Sequence, residues 1–346
     1  MGMVAKFTHR KTLFLITGGL FLIGALLFMG MVFSLTTPAE KAGRSCTLVV
    51  PRGATLRQVA DRLENKGLIT GKHAFLLWSR LMRYGRHIKA GEYEFSAQMS
   101  PLEILHMLAR GQILTHEVTL PEGFTVSQIA TVLAKKGLVN KEQFLALTQD
   151  PEILDKYGLS GPSVEGFLYP DTYRFSRGLP PDLIIDTMIK RFLEITDPLR
   201  PRIEASGLGM REVITLASMV ERETGLARER PLIASVFLNR LQKGMRLESD
   251  PTVIYGIEDF NGNLTRKDLR TYTPYNTYVI RGLPPWPIAN PGKEAIEAVL
   301  WPEKTDYLYF VSKNDGSHHF SKTLQEHNRA VMRYQKTGLS RSPKTS

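Results

Sequence analysis

Two glutamates stand close together in residues 211–225, which read Arg-Glu-Val-Ile-Thr-Leu-Ala-Ser-Met-Val-Glu-Arg-Glu-Thr-Gly. On a helix that advances about 100° per residue, Ile214 and Ala217 fall within roughly 40° of Glu221. Glu223 points about 200° away from Glu221, toward solvent. A carboxyl held against apolar side chains is harder to ionise and keeps the proton that a general acid gives to a glycosidic oxygen. The segment therefore favours Glu221 over Glu223 as an acid/base in glycan cleavage.

The same spacing is compatible with a structural role for Glu221. A buried glutamate is usually paired, and Arg240 or Arg246 is a candidate partner further along the chain. Spacing alone does not separate this alternative from acid/base catalysis.

A set of unusual segments begins at residues 165–173, and four further segments are dense in polar side chains and rigid turns. These four are residues 244–256, 275–278, 282–292 and 318–328. Such loop-rich stretches fit the walls of an extended sugar cleft, where amides and hydroxyls bind the substrate and aromatic faces stack on its rings. Taken singly, each is better explained as a turn fixed by proline and glycine.

The histidines of this region do not form a metal motif. His318, His319 and His327 lack the helical spacing of zinc ligands, and Cys46, the single cysteine, cannot complete a cysteine-based set. The sequence also has no glycine-rich phosphate loop and no G-x-S-x-G motif. We therefore expect no metal and no other cofactor.

An internal repeat organises the middle of the chain. Residues 51–68 (PRGATLRQVADRLENKGL) recur as residues 121–138 (PEGFTVSQIATVLAKKGL), with nine of the eighteen aligned positions identical. Each copy has a Pro-x-Gly turn after a short β-type run, and then a threonine, Thr55 or Thr125, suited to cap an amphipathic helix. A Lys-Gly pair predicts where each helix ends, because glycine tolerates the left-handed conformation found there.

A strand and a second helix are predicted between the two copies. Residues 89–95 alternate like a strand, and Ser100-Pro101-Leu102-Glu103 opens a helix that ends at Gly111. A strand, a threonine-capped helix and a closing strand resemble the LysM-like units that bind amino-sugar polymers. A purely structural module fits the pattern equally well. The expected fold class is α+β, with this module followed by a mixed α+β catalytic domain.

The N-terminal region predicts a single membrane-spanning helix. Residues 13–35 carry no charged side chain, and at about 1.5 Å per residue they reach roughly 35 Å, enough to cross a hydrocarbon core of about 30 Å. Lys6, Arg10 and Lys11 precede the run, whereas its far side is more balanced in charge, so the N-terminus is expected in the cytoplasm. A cleaved signal peptide is the alternative, but the run is long for one and no A-x-A site follows.

The composition, 42% hydrophobic and 23% charged, is that of a globular protein. The net charge of +11 indicates an anionic partner, which for an exported chain means lipid head groups or acidic wall polymers rather than nucleic acid. The predicted divisions are a cytoplasmic tail (1–12), a transmembrane helix (13–35), a linker (36–46), a LysM-like module (47–115), the second repeat copy (116–160), a catalytic domain (161–336) and a disordered tail (337–346).

In their order along the chain, these motifs resemble the endolytic murein transglycosylase family, and the resemblance covers almost the whole sequence. It is carried by residues 165–173, 217–224 (ASMVERET), 249–256 (SDPTVIYG), 275–278, 282–292 and 320–328 (FSKTLQEHN). Such proteins cross the bacterial cytoplasmic membrane once and cut nascent peptidoglycan outside it, which terminates strand elongation. One departure is Trp286, where a smaller or polar residue is more usual, and which we expect at one wall of the cleft.

The resemblance implies a lytic cut between N-acetylmuramic acid and N-acetylglucosamine, with Glu221 as the family's catalytic glutamate. Glu221 would protonate the bridging oxygen and then take the proton of the muramyl C6 hydroxyl as a 1,6-anhydro ring closes. A single carboxyl suffices because the nucleophile is intramolecular. The resemblance also implies association with peptidoglycan synthases. Candidates for supporting or substrate-binding roles are Glu165, Asp171, Asp250, Asn276, Tyr278, Gln325 and Asn328.

Two other functions remain open from the sequence. An ordinary muramidase would use water in place of the C6 hydroxyl and would leave free reducing ends. A wall-binding scaffold would have no turnover at all.

Overall fold

The computed structural model describes residues 2–39, 45–84 and 88–336 of the chain. The chain divides into two compact units: unit 1 comprises Met1–His116 and Phe175–Pro180, and unit 2 comprises Glu117–Arg174 and Pro181–Ser346. Both contain helices and short antiparallel strands, which confirms the α+β class. The predicted disordered tail, residues 337–346, lies outside the described residues.

Unit 1 begins with a long apolar helix. Helix α1 (Gly2–Thr36) starts well before residue 13, where the sequence predicted it to start. Among the described residues, its stretch Thr17–Thr36 is the one helical segment long and apolar enough to cross a membrane.

The rest of unit 1 is a small two-layer module. Its elements are β1 (Ser45–Val50), α2 (Leu56–Asn65), α3 (Lys72–Leu81), β2 (Gly91–Ser96) and α4 (Pro101–Arg110). Strands β1 and β2 pair antiparallel, with Leu48 opposite Tyr93. The core lies between this hairpin and the helices and includes the fully buried Leu63, Phe95 and Leu105.

Side-chain caps set where the helices begin. Thr55 caps α2, Ser100 caps α4, and Thr125 caps α5 (Val126–Lys135) of unit 2, each with the reciprocal bond of a capping box. The repeat helices end at Gly67 and Gly137, whose φ angles of +67° and +68° are in the left-handed region that glycine favours. All of these features agree with the sequence prediction.

Unit 2 contains most of the remaining helices. Along the chain, its elements are β3 (His116–Thr119), α5 (Val126–Lys135), α6 (Lys141–Leu147), α7 (Pro151–Lys156), β4 (Thr172–Phe175), α8 (Pro181–Thr196), α9 (Arg200–Ala205), α10 (Met210–Glu223), α11 (Arg230–Gln242), α12 (Asp250–Tyr255), α13 (Lys293–Leu300), β5 (Tyr309–Ser312), β6 (His318–Ser321) and α14 (Leu324–Val331). Strand β3 pairs with β4, and β5 pairs with β6. The end residues His116 of β3 and Phe175 of β4 belong to unit 1. Each repeat copy thus begins with a strand and two helices and is followed by the paired strand, and the second copy has a third helix, α7, before that strand.

Helix α10 forms the centre of unit 2. Every residue from Val213 to Val220 is buried, and α11, α12 and α13 pack against the helix. A helix that is buried on all sides belongs to the interior of a domain. Its C-terminal turn, which carries both candidate glutamates, is therefore held on a rigid support.

Two segments predicted to be loop-rich contain regular structure. Residues 244–256 include α12, and residues 318–328 include β6 and the start of α14. The second difference has a local cause, because Thr323 caps α14 with a capping box to Glu326.

Candidate active site

Glu221 lies in the last turn of α10, where three helices meet. Its side chain is only 5% exposed. A short 3-10 turn returns the chain after α10, so that Arg230, the first residue of α11, donates through Nη2 to Oε1 of Glu221 at 2.8 Å. The backbone N–H of Gly292, at the N-terminus of α13, donates to Oε2 at 3.0 Å. Both carboxylate oxygens thus accept a hydrogen bond from a group that stabilises negative charge.

This environment differs from the apolar one that the sequence indicated for Glu221. The alternative of pairing with an arginine is present, but the partner is Arg230 rather than Arg240 or Arg246. Arg240 instead donates to the carboxylate of Glu248 and to the carbonyl oxygen of Arg246. Glu221 can therefore have both a structural and a catalytic role. An arginine that holds a carboxyl in place can also stabilise its charged form during a reaction.

Arg230 also forms ion pairs with two other carboxylates. Its Nη2 donates to Oε2 of Glu122 at 3.2 Å, and its Nη1 donates to Glu294. Burial, reinforced by the charge of Glu221, raises the pKa of Glu122 against the opposing effect of Arg230. We call these four residues the Arg230 cluster. Three carboxylates thus share one guanidinium, and their negative charge exceeds the positive charge that Arg230 supplies.

Glu122 belongs to the Pro-x-Gly turn of the second repeat copy, and a buried amide fixes that turn. Gly123 N–H donates to the carbonyl oxygen of Asn290, and Asn290 N–H donates to the carbonyl oxygen of Phe124, both at 2.9 Å. The Asn290 side chain also donates to Glu165 at 2.9 Å and accepts two backbone N–H groups of segment 165–173. Three distant parts of the sequence are thereby tied together.

Glu165 is an internal member of this network. Each of its carboxylate oxygens lies 3.1 Å from the N–H of Val126, the first residue of α5, and Tyr255 donates to one of them at 3.4 Å. Burial raises the pKa of Glu165 to about 8, although the hydrogen bonds oppose this shift. Glu165 therefore supports the site from within unit 2.

Glu223 does not point to solvent, so the prediction from helical phase was wrong. Ser249 donates to its carboxylate, and Glu223 lines a cavity of about 440 Å³. Burial raises the pKa of Glu223 to about 7 against the hydrogen bond from Ser249. The phase argument failed because neighbouring elements cover opposite faces of the last turn of α10.

The structure brings Asp250 and Tyr278 together at this cavity. The Tyr278 hydroxyl donates to Oδ1 of Asp250 at 2.7 Å, and both side chains line the same cavity as Glu223. His318 and His327 line it as well. The cavity thus combines carboxyl, hydroxyl and imidazole groups.

The other predicted site residues lie elsewhere in unit 2. Asn276 is fully buried, and its side-chain amide donates to three backbone carbonyls of the loop before it, so it supports that loop. Asp171 accepts a hydrogen bond from Arg191 at 2.8 Å. Gln325 and Asn328 are exposed on α14.

Trp286 lies in the hydrophobic core of unit 2 rather than in the wall of the Glu223 cavity. It is 2% exposed, packs against Phe167 and donates through Nε1 to the carbonyl oxygen of Ser163 at 3.0 Å. The departure from the usual residue type is therefore accommodated by core packing.

Sequence reasoning missed four residues around Glu221. Arg230, Glu122 and Glu294 were not singled out, and Asn290 was noted only as part of segment 282–292. One signal was available for Glu122: the repeat has arginine at the matching position of its first copy, so the charge is reversed where the second copy meets Glu221. No local pattern indicated the others.

Comparisons with known proteins agree with the motif-based resemblance. The YceG-like family matches residues 48–333. A protein of Bacillus subtilis (strain 168) named endolytic murein transglycosylase is 33% identical over 340 residues, covering 92% of this chain and 91% of the relative. One of the same name from Streptococcus pneumoniae serotype 2 (strain D39 / NCTC 7466) is 28% identical, covering 85% of this chain and 59% of the relative. A crystal structure of a yceG-like protein from Listeria monocytogenes is 34% identical with a TM-score of 0.57, covering 83% of this chain and 99% of that one.

Proposed function

Because this chain belongs to the YceG-like family, we propose that it is an endolytic lytic transglycosylase of peptidoglycan. It cleaves the bond between N-acetylmuramic acid and N-acetylglucosamine in nascent glycan strands and leaves 1,6-anhydromuramyl ends, which terminates elongation. The support is the similarity over nearly the whole chain to proteins that carry this name.

Glu221 carries both proton transfers of the reaction. As an acid it protonates the bridging oxygen, and the bond from muramyl C1 to that oxygen breaks with development of an oxocarbenium-like ring. The muramyl C6 hydroxyl oxygen then bonds to C1, and its proton returns to the Glu221 carboxylate. Atoms balance without water, and the enzyme ends in its starting protonation state.

The Arg230 cluster fits this cycle. After the first step Glu221 is a carboxylate, and Arg230 and the N–H of Gly292 stabilise that charge in a buried setting. Before that step Glu221 must carry a proton, and the neighbouring Glu122, whose pKa is raised by burial, is a carboxyl of the same cluster that favours its protonated form. The position of Glu221 among these groups is the observation that carries the residue assignment.

Supporting roles follow from the contacts of the other candidates. Glu165, Asn276 and Asp171 hold the scaffold through internal bonds. Asp250 and Tyr278, at the cavity that Glu223 also lines, are the best placed to bind sugar hydroxyls or acetamido groups. This leaves Gln325 and Asn328 as peripheral contacts to a longer glycan.

The remaining assignments concern the whole chain. Helix α1 anchors it in the cytoplasmic membrane as a single pass, with the N-terminus inside and with unit 2 and the part of unit 1 that follows α1 outside. The order strand, helix, helix, strand in residues 47–115 supports a LysM-like glycan-binding module. Residues 116–160 lead into a catalytic domain over residues 161–336, and peptidoglycan synthases are the expected protein partners.

The deciding experiment is product analysis of digested sacculi by mass spectrometry for the wild type, Glu221→Gln and Glu223→Gln. We expect 1,6-anhydro ends from the wild type and a loss of roughly 10²- to 10⁴-fold in Glu221→Gln. Glu223→Gln tests the other glutamate of the same helical turn. Its loss should be smaller than that of Glu221→Gln, because Glu223 lines the proposed sugar-binding cavity without taking part in proton transfer, and the product should still carry 1,6-anhydro ends.

Three results would count against these assignments. Free reducing ends would identify a muramidase. Normal cleavage by a folded Glu221→Gln variant would remove Glu221 from the chemistry. Loss of activity in Glu223→Gln but not in Glu221→Gln would assign the acid/base role to Glu223.

A further inference from the structure

Helix α3 of unit 1 presents an apolar pair to its surface. Leu77 and Leu81 are 45% and 61% exposed, and their spacing of one helical turn places them on the same face. Outside α1, the only other large hydrophobic side chain that is comparably exposed in the described part of unit 1 is Val49, at 36%. The two leucines therefore form a small, localised apolar ridge.

Basic side chains flank this ridge. Arg80 and Arg83 are exposed, and neither forms an ion pair with a carboxylate among the described residues. The sequence from residue 80 to 89, RLMRYGRHIK, contains no acidic residue. Leucines bordered by unpaired cations are the composition of helices that lie in the surface of an anionic bilayer.

The contacts of α3 with α1 indicate where the leucine ridge lies relative to the proposed membrane. Helix α1 packs against α3 and α4, and the rings of Phe28 and Trp78 have centroids 6.3 Å apart. Phe28 is about two helical turns, or about 12 Å, before the end of α1. If α1 spans the membrane, α3 is held at the outer leaflet, near the depth of about 5–10 Å that interfacial helices reach.

We propose that α3 docks unit 1 onto an anionic phospholipid surface, with Leu77 and Leu81 inserted and Arg80 and Arg83 on lipid phosphates. The inference rests on the proposed membrane insertion of α1. Its consequence is that the first module is held flat against the bilayer and does not swing freely on a tether.

The test uses the full chain in vesicles that contain lipids brominated in their acyl chains. A fluorophore is attached at Leu81→Cys in a Cys46→Ser background, and the matched control carries it at Leu324→Cys, an exposed leucine of unit 2 (55% exposed). We expect quenching at position 81 and none at position 324. Adding Arg80→Gln and Arg83→Gln should weaken docking roughly tenfold or more on phosphatidylglycerol vesicles and leave phosphatidylcholine vesicles unaffected.

Equal, weak signals at positions 81 and 324 would overturn the docking proposal. Quenching that is insensitive to the arginine variants and to lipid charge would overturn its electrostatic part. The orientation of α1 is measured separately, by labelling native Cys46 in cells with a membrane-impermeant maleimide. Labelling from outside without quenching at position 81 rejects docking alone, whereas labelling only after lysis rejects the proposed topology.

Discussion

Arg230 is the residue on which the chemistry of the Glu221 site depends most. It is 9% exposed and contacts three carboxylates from three different parts of the chain. A buried guanidinium without partners would be costly, and so would the buried Glu221 carboxylate without a cation. Each member of the Arg230 cluster therefore holds the others in place, and a change at Arg230 should alter both stability and proton transfer.

We predict that Arg230→Gln lowers the catalytic rate and moves the alkaline limb of the pH–activity profile to higher pH. Arg230 opposes the rise in the pKa of Glu122, so removing the cation raises that pKa further and keeps a proton in the cluster to higher pH, while the carboxylate formed in the first step loses its stabilising partner. Activity on purified sacculi across the pH range measures both effects. Arg230→Lys keeps the positive charge but lacks the several N–H donors of the guanidinium. It should restore the position of the alkaline limb but not the full catalytic rate. An Arg230→Gln profile that coincides with the wild type would separate Arg230 from the reaction.

Glu165 makes a second prediction at the residue scale. Its folded-state pKa of about 8 lies above the ordinary value of 4.5, so the folded state holds a proton that the unfolded chain releases. Stability from this group is fully present below about pH 4.5 and is lost as the pH rises toward 8. We expect the melting temperature of the wild type to fall more steeply between pH 5 and pH 8 than that of Glu165→Gln. Scanning calorimetry of both proteins checks this, and parallel curves would contradict it.

At the scale of elements, the sequence predicted best what local chemistry determines. The beginnings of α2, α4 and α5 follow from capping side chains three residues apart, and their ends follow from glycine or lysine-glycine pairs. The environment of Glu223 could not be predicted in this way, because helical phase identifies a solvent face only when one exists. With α10 enclosed by its neighbours, tertiary packing decides what each glutamate contacts.

The candidate site was likewise predictable only where local sequence determines it. Glu221 was identified from its own segment and from the order of the motifs, whereas Arg230 and Glu122 reach it from the start of another helix and from a repeat turn. Glu122 and Arg230 are 108 positions apart in the chain. No periodicity links such residues, so their meeting is a property of the fold.

The two repeat copies allow a matched test of whether the Pro-x-Gly turn of the second copy contributes to the Glu221 site. Gly123 has φ +75°, and a methyl group there would lie 3.4 Å from Cγ of Glu221, whereas Gly53 in the first copy has φ +79° and open space around it. We predict that Gly123→Ala and Gly53→Ala each cost about 1–2 kcal/mol through left-handed strain. Only Gly123→Ala should also reduce the production of 1,6-anhydro ends, because relaxing its strain moves the turn that carries Glu122. Denaturant unfolding and product analysis are the two measurements, and equal losses of activity would refute the specific role of the second copy.

At the scale of the whole molecule, the proposed anchor changes where the enzyme acts more than what it does. As a single-pass anchor, α1 would confine the chain to the membrane surface, where new glycan strands emerge, and so would raise its effective concentration on them. The net charge of +11 would add attraction to anionic lipids and wall polymers. Under this proposal, strand termination close to the membrane follows from tethering together with the chemistry at Glu221.

We therefore predict that replacing residues 2–27 with a cleaved secretion signal separates the chemistry at Glu221 from its location at the membrane. The change retains Phe28, which packs on Trp78, and Leu35, which is buried in unit 1, so the folded units should be preserved. The released protein should still form 1,6-anhydro ends on isolated sacculi at nearly the wild-type rate, because the Arg230 cluster is intact. In cells it should fail to shorten new strands at native expression, and mean glycan length should rise toward that of the Glu221→Gln strain. Chromatography of glycan strands measures this length, and wild-type lengths with the released protein would show that the anchor does not direct the cut.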